Sequence, residues 1–344
     1  MYPYIKVNLF KRAKCFLLTP LLLLFLSSCD IHKAMPSAVE SDRASQVFNI
    51  GFLNLTGHLP LGVLVNNDDY QLLPFKINPI QKFDWHELED VMKSGELDGT
   101  FILWPQAMEL IQKGFPGKIV LVANRSGNRV VLSDKIKTIS DLNNHQYIIA
   151  VPHIYSQHHI LLNIFLGQHG ILKDNIQLVE MPPIDMPHYL NNGAIDGFVA
   201  GQPIGNNTIK DNLGWLAATS EQLWSGHIDH VFLVSNTFIQ THPDELHKLI
   251  NQLVSSGKLI DSSPKKAKGI AQTGNYIWEL SNLTAQKNWI TFDNMVASEA
   301  EMVSMAQHLI DMQLWSDVPH DLSLNYFDMS FAHKAVQNHQ GTEF

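Results

Sequence analysis

Cysteine is nearly absent: the 344 residues hold two, Cys15 and Cys29, so neither a disulfide scaffold nor a thiolate metal cluster organises the fold. Positive charge is also scarce. Lys and Arg number 24 against 33 Asp and Glu, a net charge of −9, which leaves no basic face to neutralise a nucleic-acid backbone. The Gly-x-Ser-x-Gly turn of a nucleophilic serine does not occur, and neither does the Asp-x-Asp-x-Asp-Gly run of a calcium loop. What remains is an even mixture, 45% hydrophobic and 17% charged with 20 Gly and 16 Pro. It is enough to bury one large or two medium cores, and too mixed for a collagen, a coiled coil or a disordered chain.

The longest uncharged apolar stretch near the start, residues 16–26, is too short to span a bilayer as an ordinary helix. It follows Lys6, Lys11, Arg12 and Lys14 with no acid among them, the order of charge and hydrophobicity of an export signal. The stretch ends in Leu26-Ser27-Ser28-Cys29, which resembles the lipobox of bacterial lipoproteins. That resemblance implies that residues 1–28 are removed and that Cys29 is acylated as the mature N-terminus. The four basic residues leave with the signal, taking the net charge from −9 to −13. Asp30 resembles the signal that keeps such lipoproteins at the inner membrane, on its periplasmic face. Residues 29–46, with Pro36 and three serines, read as a tether.

Beyond residue 46 short apolar runs alternate with amphipathic stretches, the pattern of an α/β protein. Strands are expected at residues 47–55, 118–123, 147–151, 175–179 and 230–234. Thr241, Pro243 and Asp244 predict a capped helix start, with Leu246, Leu249, Ile250 and Leu253 on one face and Gly257 as its stop. Amphipathic helices are also expected at 277–280 and 302–314, and Lys265, Lys266 and Lys268 read as a solvated helix face.

One phrase occurs twice. Gly95-Glu96-Leu97-Asp98-Gly99 precedes an apolar run toward Pro105, and Gly193-Ala194-Ile195-Asp196-Gly197 precedes another toward Pro203. Each copy predicts a helix closed by a left-handed glycine, an Asp-Gly turn and a buried strand. Two copies in the same order point to two similar α/β lobes, which would form a ligand cleft where their strands end.

Residues 48–260 resemble the solute-binding proteins of ABC importers for nitrate, bicarbonate and sulfonate. The resemblance rests on Gly51-Phe52-Leu53-Asn54-Leu55-Thr56 with Pro60-Leu61, Trp85 with the first Gly-Asp phrase, and Ser126-Gly127-Asn128. It continues with His158, Asp196-Gly197-Phe198 with Gly201-Gln202-Pro203, and Leu223-Trp224-Ser225-Gly226-His227. It implies an α/β, two-lobed type II periplasmic binding protein with a ligand cleft between the lobes. Leu55, Thr56, Trp85, Ser126, Gly127, Asn128, His158, Gly201, Gln202 and Ser225 would contact the ligand. Their chemistry suits a polar solute: an imidazole and an indole N–H, short hydroxyls, and a glycine that admits close backbone approach.

The family's lysine in the Leu-Trp-x-Gly-His segment is Ser225 here, its glutamine ahead of Gly-Asn is Ser126, and Gly-Glu-Pro-Trp is replaced by Gly201-Gln202-Pro203-Ile204. A buried anion then lacks its fixed cation. Arg125 and Arg129, four apart on one strand, would point the same way and are candidates to replace it. His153, His158 and His159, like His227 and His230, fall short of a converging zinc set, so no metal site is expected. No cofactor is expected either, calcium being considered only for a bicarbonate-like ligand.

The expected organisation is therefore a signal peptide over 1–28, a tether over 29–46, a first lobe over 47–124 and 231–344, and a second lobe over 125–230. The hinge would lie near residues 123–126 and 227–232. The function implied is that of a monomeric, lipid-anchored binding protein. It would close on a small solute, an oxyanion of the nitrate, bicarbonate or sulfonate class, and deliver it to a membrane permease. A ligand sensor, and a lyase-type enzyme on the same fold, are the alternatives.

Overall fold

The computed structural model describes residues 46–67, 73–273 and 290–340; Cys29, the signal, nearly all of the tether and residues 277–280 lie outside them. Eleven strands among the described residues form two sheets. The first has the order β11-β4-β10-β3-β1-β2 and the second β7-β6-β8-β5-β9. The first is built from β1 (Val47–Leu53), β2 (Lys76–Lys82), β3 (Gly99–Leu103), β4 (Gly117–Ser126), β10 (Ile228–Ser235) and β11 (Ile290–Thr291). The second comprises β5 (Asn128–Leu132), β6 (Tyr147–Val151), β7 (Ile176–Glu180), β8 (Gly197–Gly201) and β9 (Trp215–Thr219).

The two sheets share one plan. A parallel trio, β2-β1-β3 or β7-β6-β8, is flanked by two antiparallel strands, β10 and β4 in one lobe and β5 and β9 in the other. The antiparallel neighbour of each trio arrives from across the lobe boundary, so the chain crosses between lobes at β4–β5 and again just before β10. The result is a two-lobed α/β protein of the type II periplasmic binding kind.

The twice-used phrase acts as a clasp in both lobes. Gly95 and Gly193 close their helices, Trp85–Ser94 and Met186–Asn192, at φ 80° and 78°, where a side chain would be strained. Asp98 then accepts the Asn49 N–H at 2.8 Å and donates its own N–H to Asn49 O at 2.9 Å. Asp196 does the same with Ile148, at 3.0 and 2.7 Å. Each aspartate thus stitches the turn before β3 or β8 to the first strand of its trio and sets the parallel register.

Helices cover the sheets with apolar faces, Phe52, Phe101, Phe232 and Leu253 filling the first core and Ile149, Phe165 and Val199 part of the second. Two expectations fail near residue 243. The helix Pro243–Ser262 starts without a side-chain cap, because Thr241 Oγ1 turns back to Thr237 O at 2.7 Å to end the preceding helix. It also runs through Gly257, whose missing Cβ would sit 2.9 Å from Met295 Sδ and 3.0 Å from Phe292 Cβ. Gly257 therefore permits close packing rather than ending the helix. The helix Glu299–Asp311 overlaps the expected 302–314 region but starts and ends three residues earlier, and Pro264–Ala271 carries Lys265, Lys266 and Lys268.

The assumption of one strand through Arg125 and Arg129 also fails. Ser126 at φ 61° and Gly127 at φ 100° break the strand at the crossing, so the two-residue alternation does not carry through. Arg125 donates to Glu301 at 2.5 Å and to the carbonyls of Asn294, Gly226 and Val296 at 2.8–2.9 Å. Arg129 donates to Glu221 at 3.3 Å and to Asn128 O at 2.8 Å. Both guanidinium groups are engaged by carboxylates at the crossing.

The clasp is testable. Asp98→Ala and Asp196→Ala each leave a strand N–H without its carboxylate, and each is expected to cost about 1–3 kcal/mol of unfolding free energy. Urea denaturation of both variants checks this, and loss in only one would deny that the two copies are equivalent.

Candidate functional site

β10 and β4 change register between Ile228 and His230, so Asp229 sits at an irregularity that re-aims its side chain out of the ladder. Its carboxylate collects donors from both lobes. Asn124 Nδ2 at 3.1 Å comes from the first sheet, and His230 Nδ1, which donates to Asn124 Oδ1 at 2.8 Å, stands 3.1 Å from the carboxylate. Asn128 Nδ2 at 2.9 Å and the amide of Gln157 come from the second lobe. Asn128 spends its other amide hydrogen on His227 Nε2 at 3.0 Å, while His227 Nδ1 donates to Trp224 O at 3.0 Å. Every group named is buried, apart from Trp224.

Burial acts to raise the Asp229 pKa, but His230, His158, His227 and the Asn128 amide outweigh it and hold the carboxyl well below its ordinary range. The histidines are pushed the other way. Burial lowers His58, His227 and His230, and takes His158 down to about 3 despite the pull of Asp229. At neutral pH the cluster is one carboxylate among neutral imidazoles and amides.

Around this hub lie buried polar atoms with no hydrogen-bond partner among the described residues. The first lobe contributes His58 Nε2, Trp85 Nε1 and His230 Nε2; the second contributes Asn128 Oδ1, Gln157 Oε1, both ring nitrogens of His158, and the Gln202 amide. His58 Nδ1 accepts the Leu53 N–H at 3.0 Å, so its Nε2 carries the proton and is a donor. His230 Nδ1 donates, so its Nε2 is an acceptor. Trp85, at the first turn of its helix, stacks on His230 with ring centroids 5.3 Å apart, and His58 meets both edge-on. Each unpaired buried group costs about 1–3 kcal/mol. A polar partner between the lobes, or water admitted by opening, removes that cost.

The lobes touch directly where Thr56 N–H donates to Gln202 O at 3.0 Å. Beside this contact a recess of about 130 Å³ is lined by Leu53, Asn54, Leu55, Lys82 and Phe83 of the first lobe and Pro183, Ile184 and Ile204 of the second. The absent Cβ of Gly201 would lie 3.2 Å from Asn128 Oδ1 and 3.7 Å from His158 Nε2. Glycine there keeps the space between those two unpaired atoms clear.

The structure thus brings Trp85, Asn128, His158, Gly201 and Gln202 to the lobe junction, with Leu55 and Thr56 beside it. Ser126 and Gly127 form the crossing: Ser126 N–H bonds to His227 O at 2.9 Å and Gly127 N–H to Glu221 at 3.3 Å. Ser225 is exposed and lines a different recess of about 250 Å³, with Trp104, Trp224 and Glu301. Asp229, Asn124, Gln157, His58 and His230 were missing from the expected contact set. A charged residue inside the apolar strand sequence Ile228-Asp229-His230-Val231-Phe232 was the available signal for the hub.

Below pH 6.5 the unfolded chain takes up protons that these buried histidines refuse, so stability falls as pH falls. The slope is up to about 1.4 kcal/mol per pH unit for each histidine, and for His158 it persists down to a pH of about 3. Asp229 adds to the loss below the ordinary aspartate pKa of about 3.9. Urea midpoints measured from pH 7.5 to 5 are expected to drop steeply, and His158→Asn to flatten the slope by one proton. An unaltered slope in that variant would mean that His158 titrates normally.

Residues 42–274 match the NMT1-like family. The chain is 28% identical over 232 residues to the nitrate import ATP-binding protein NrtC of Synechocystis, covering 62% of this chain and 35% of that protein. It spans about a third of such curated relatives. A ligand-binding component of an ABC-type import system from Staphylococcus aureus, solved with zinc bound, superposes with a TM-score of 0.76 at 22% identity, over 84% of this chain and 99% of that one. The periplasmic nitrate-binding protein NrtA of Synechocystis superposes with a TM-score of 0.76 at 16% identity, over 85% and 89% of the two chains. With the family match spanning more than half its length, the chain belongs to the NMT1-like family.

Proposed function

We propose that this protein is the solute-binding component of an ABC importer, which captures a small molecule between its lobes and presents it to a membrane permease. The observation that carries this reading is the set of unpaired polar atoms supplied by both lobes around Asp229. A solute that pairs with them stabilises the closed form over the open one, which is what a hinged receptor requires. Similarity to nitrate-import proteins supports the transport context. Export and acylation at Cys29 would place the receptor on the periplasmic face of the inner membrane as a non-enzymatic partner of the permease.

The site's chemistry narrows the solute. Nitrate, bicarbonate and sulfonates share a negative charge, and here the hub is itself a carboxylate surrounded by neutral rings, with both crossing arginines already paired. Burying an anion beside an unneutralised carboxylate is costly. The unpaired set mixes donors (Trp85, His58) with acceptors (Asn128, His230). It suits a small polar solute that both donates and accepts and carries no net negative charge. An inorganic oxyanion would have to bring a proton with it.

Calorimetric titration with nitrate, nitrite, bicarbonate with and without calcium, taurine, alkanesulfonates and thiamine-pyrimidine precursors separates these readings. An uncharged or cationic organic solute is expected to bind, and the inorganic anions not to bind at pH 7.5. Trp85→Ala and His158→Ala are each expected to weaken that binding at least about tenfold, the loss of roughly one well-made hydrogen bond, with native circular dichroism. Tight nitrate binding at pH 7.5 would overturn the assignment of solute charge, and unchanged affinity in both variants would overturn the site.

A further inference from the structure

Away from the hub, His86, His153 and Glu180 each offer one ligand atom, and the three atoms lie within 4.8 Å of one another. His86 is the second residue of the first-lobe helix Trp85–Ser94. His153 follows β6 and Glu180 ends β7, both in the second lobe. His153, His158 and His159 were expected to form no converging zinc set, and no metal site was expected; in the fold the ring of His153 faces His86, with centroids 4.4 Å apart.

We propose that His86, His153 and Glu180 form a site for a divalent transition cation, zinc being the best match, which latches the two lobes together at the rim of the cleft. The ion is distinct from the captured solute, and only the latching rests on the hinged-receptor reading.

The donor set is the first argument. Two imidazoles and one carboxylate are the three-ligand arrangement of an open zinc site, with a fourth position left for water. Nitrogen donors of this kind favour zinc, copper or nickel over magnesium or calcium. Geometry is the second. A tetrahedral ion with bonds of about 2.0–2.1 Å holds its ligand atoms roughly 3.3 Å apart, and His86 Nε2 stands 4.0 Å from Glu180 Oε1. The remaining movement falls to His86, whose side chain is 54% exposed.

The second-lobe ligands are already held. Glu180 accepts the Ile154 N–H, and His153, which is buried, accepts the Tyr155 N–H at Nδ1, 3.0 Å away. In the neutral ring that bond leaves the proton on Nε2. Coordination through Nε2 shifts the proton to Nδ1 and gives up the Tyr155 bond, one neutral hydrogen bond exchanged for metal ligation. Glu89, one turn along the helix from His86, adds negative charge close to His153. Because one ligand comes from one lobe and two from the other, the complete site exists only with the lobes together, so the ion binds that state preferentially and shifts the population toward it.

The test uses zinc alone, titrated into the full-length protein in detergent without a polyhistidine tag. One site is expected, and His86→Ala and Glu180→Gln should each weaken it by more than about 100-fold, beyond the roughly 10–100-fold that loss of an outer-shell partner costs. Cobalt in place of zinc should give the visible spectrum of a tetrahedral site in the wild type and not in His86→Ala. Solution scattering should show zinc reducing the radius of gyration in the wild type only. No zinc binding in the wild type, or equal affinity in His86→Ala, overturns the site. Binding that needs His86 but leaves the radius of gyration unchanged overturns the latch. Solute titrations run in the presence of a chelator test the receptor reading separately, so the two can fail independently.

Discussion

The organisation of this molecule depends on a buried carboxylate at the place where the chain crosses between lobes. Asp229 is removed from water yet ionised, and that is tolerable only because amide donors and an imidazole converge on it. Those groups come from Asn124 and His230 on one side and from Asn128 and Gln157 on the other. Satisfying one charge therefore requires both lobes, and removing it would leave several buried donors without an acceptor. The strand irregularity at residue 229, the break at Ser126 and Gly127, and the amide orientation of Asn128 all serve this geometry.

The hub also explains why the neighbouring polar atoms are left unpaired. Asn128 points both amide hydrogens toward Asp229 and His227, which turns its oxygen toward the cleft. His230 donates its Nδ1 hydrogen to Asn124 Oδ1, which presents Nε2 as an acceptor. His58 uses Nδ1 on the Leu53 N–H, which makes Nε2 a donor. The donor and acceptor pattern that the proposed ligand would meet is thus a by-product of how the scaffold satisfies itself, and such a ligand need only complement what remains.

Much of the fold could be read from residue order. The two Gly-x-x-Asp-Gly phrases announced a repeated helix, turn and strand, and the structure shows the physical reason: the aspartate side chain is a backbone partner for the adjacent strand in both lobes. Trp85, Asn128, His158, Gly201 and Gln202 were legible because they stand in ordered motifs. Gln157 was not, and Asp229 was marked only by its charge within an apolar strand, since their mutual bond and the Asn124 bond span 72 and 105 residues. Arg125 and Arg129 were misplaced for a related reason. Periodicity holds only within a continuous strand, and two left-handed residues between them end it. Gly257 shows the same limit in a helix, where a small residue that fits a tight contact has the sequence signature of a stop.

The proposed opening and closing would act on this network unequally. Asn128 lies immediately after the crossing, so it moves little relative to Asp229 when the lobes rotate about that point. Gln157 stands at the start of the helix Gln157–Gln168, farther along the second lobe, so its bond to Asp229 is the one that a separation of the lobes would exchange for water. Water replaces that amide at little net cost, because an exposed carboxylate is well solvated. The unpaired atoms of Trp85, His58, His158 and Gln202 gain water at the same step. On the proposed reading the empty protein would favour opening and the filled one closing, and the difference would come from groups that the hub leaves unsatisfied rather than from the hub itself. Asn124 stands in the same sheet as Asp229 and donates to it, so the proposed motion of the lobes would not strand a buried charge.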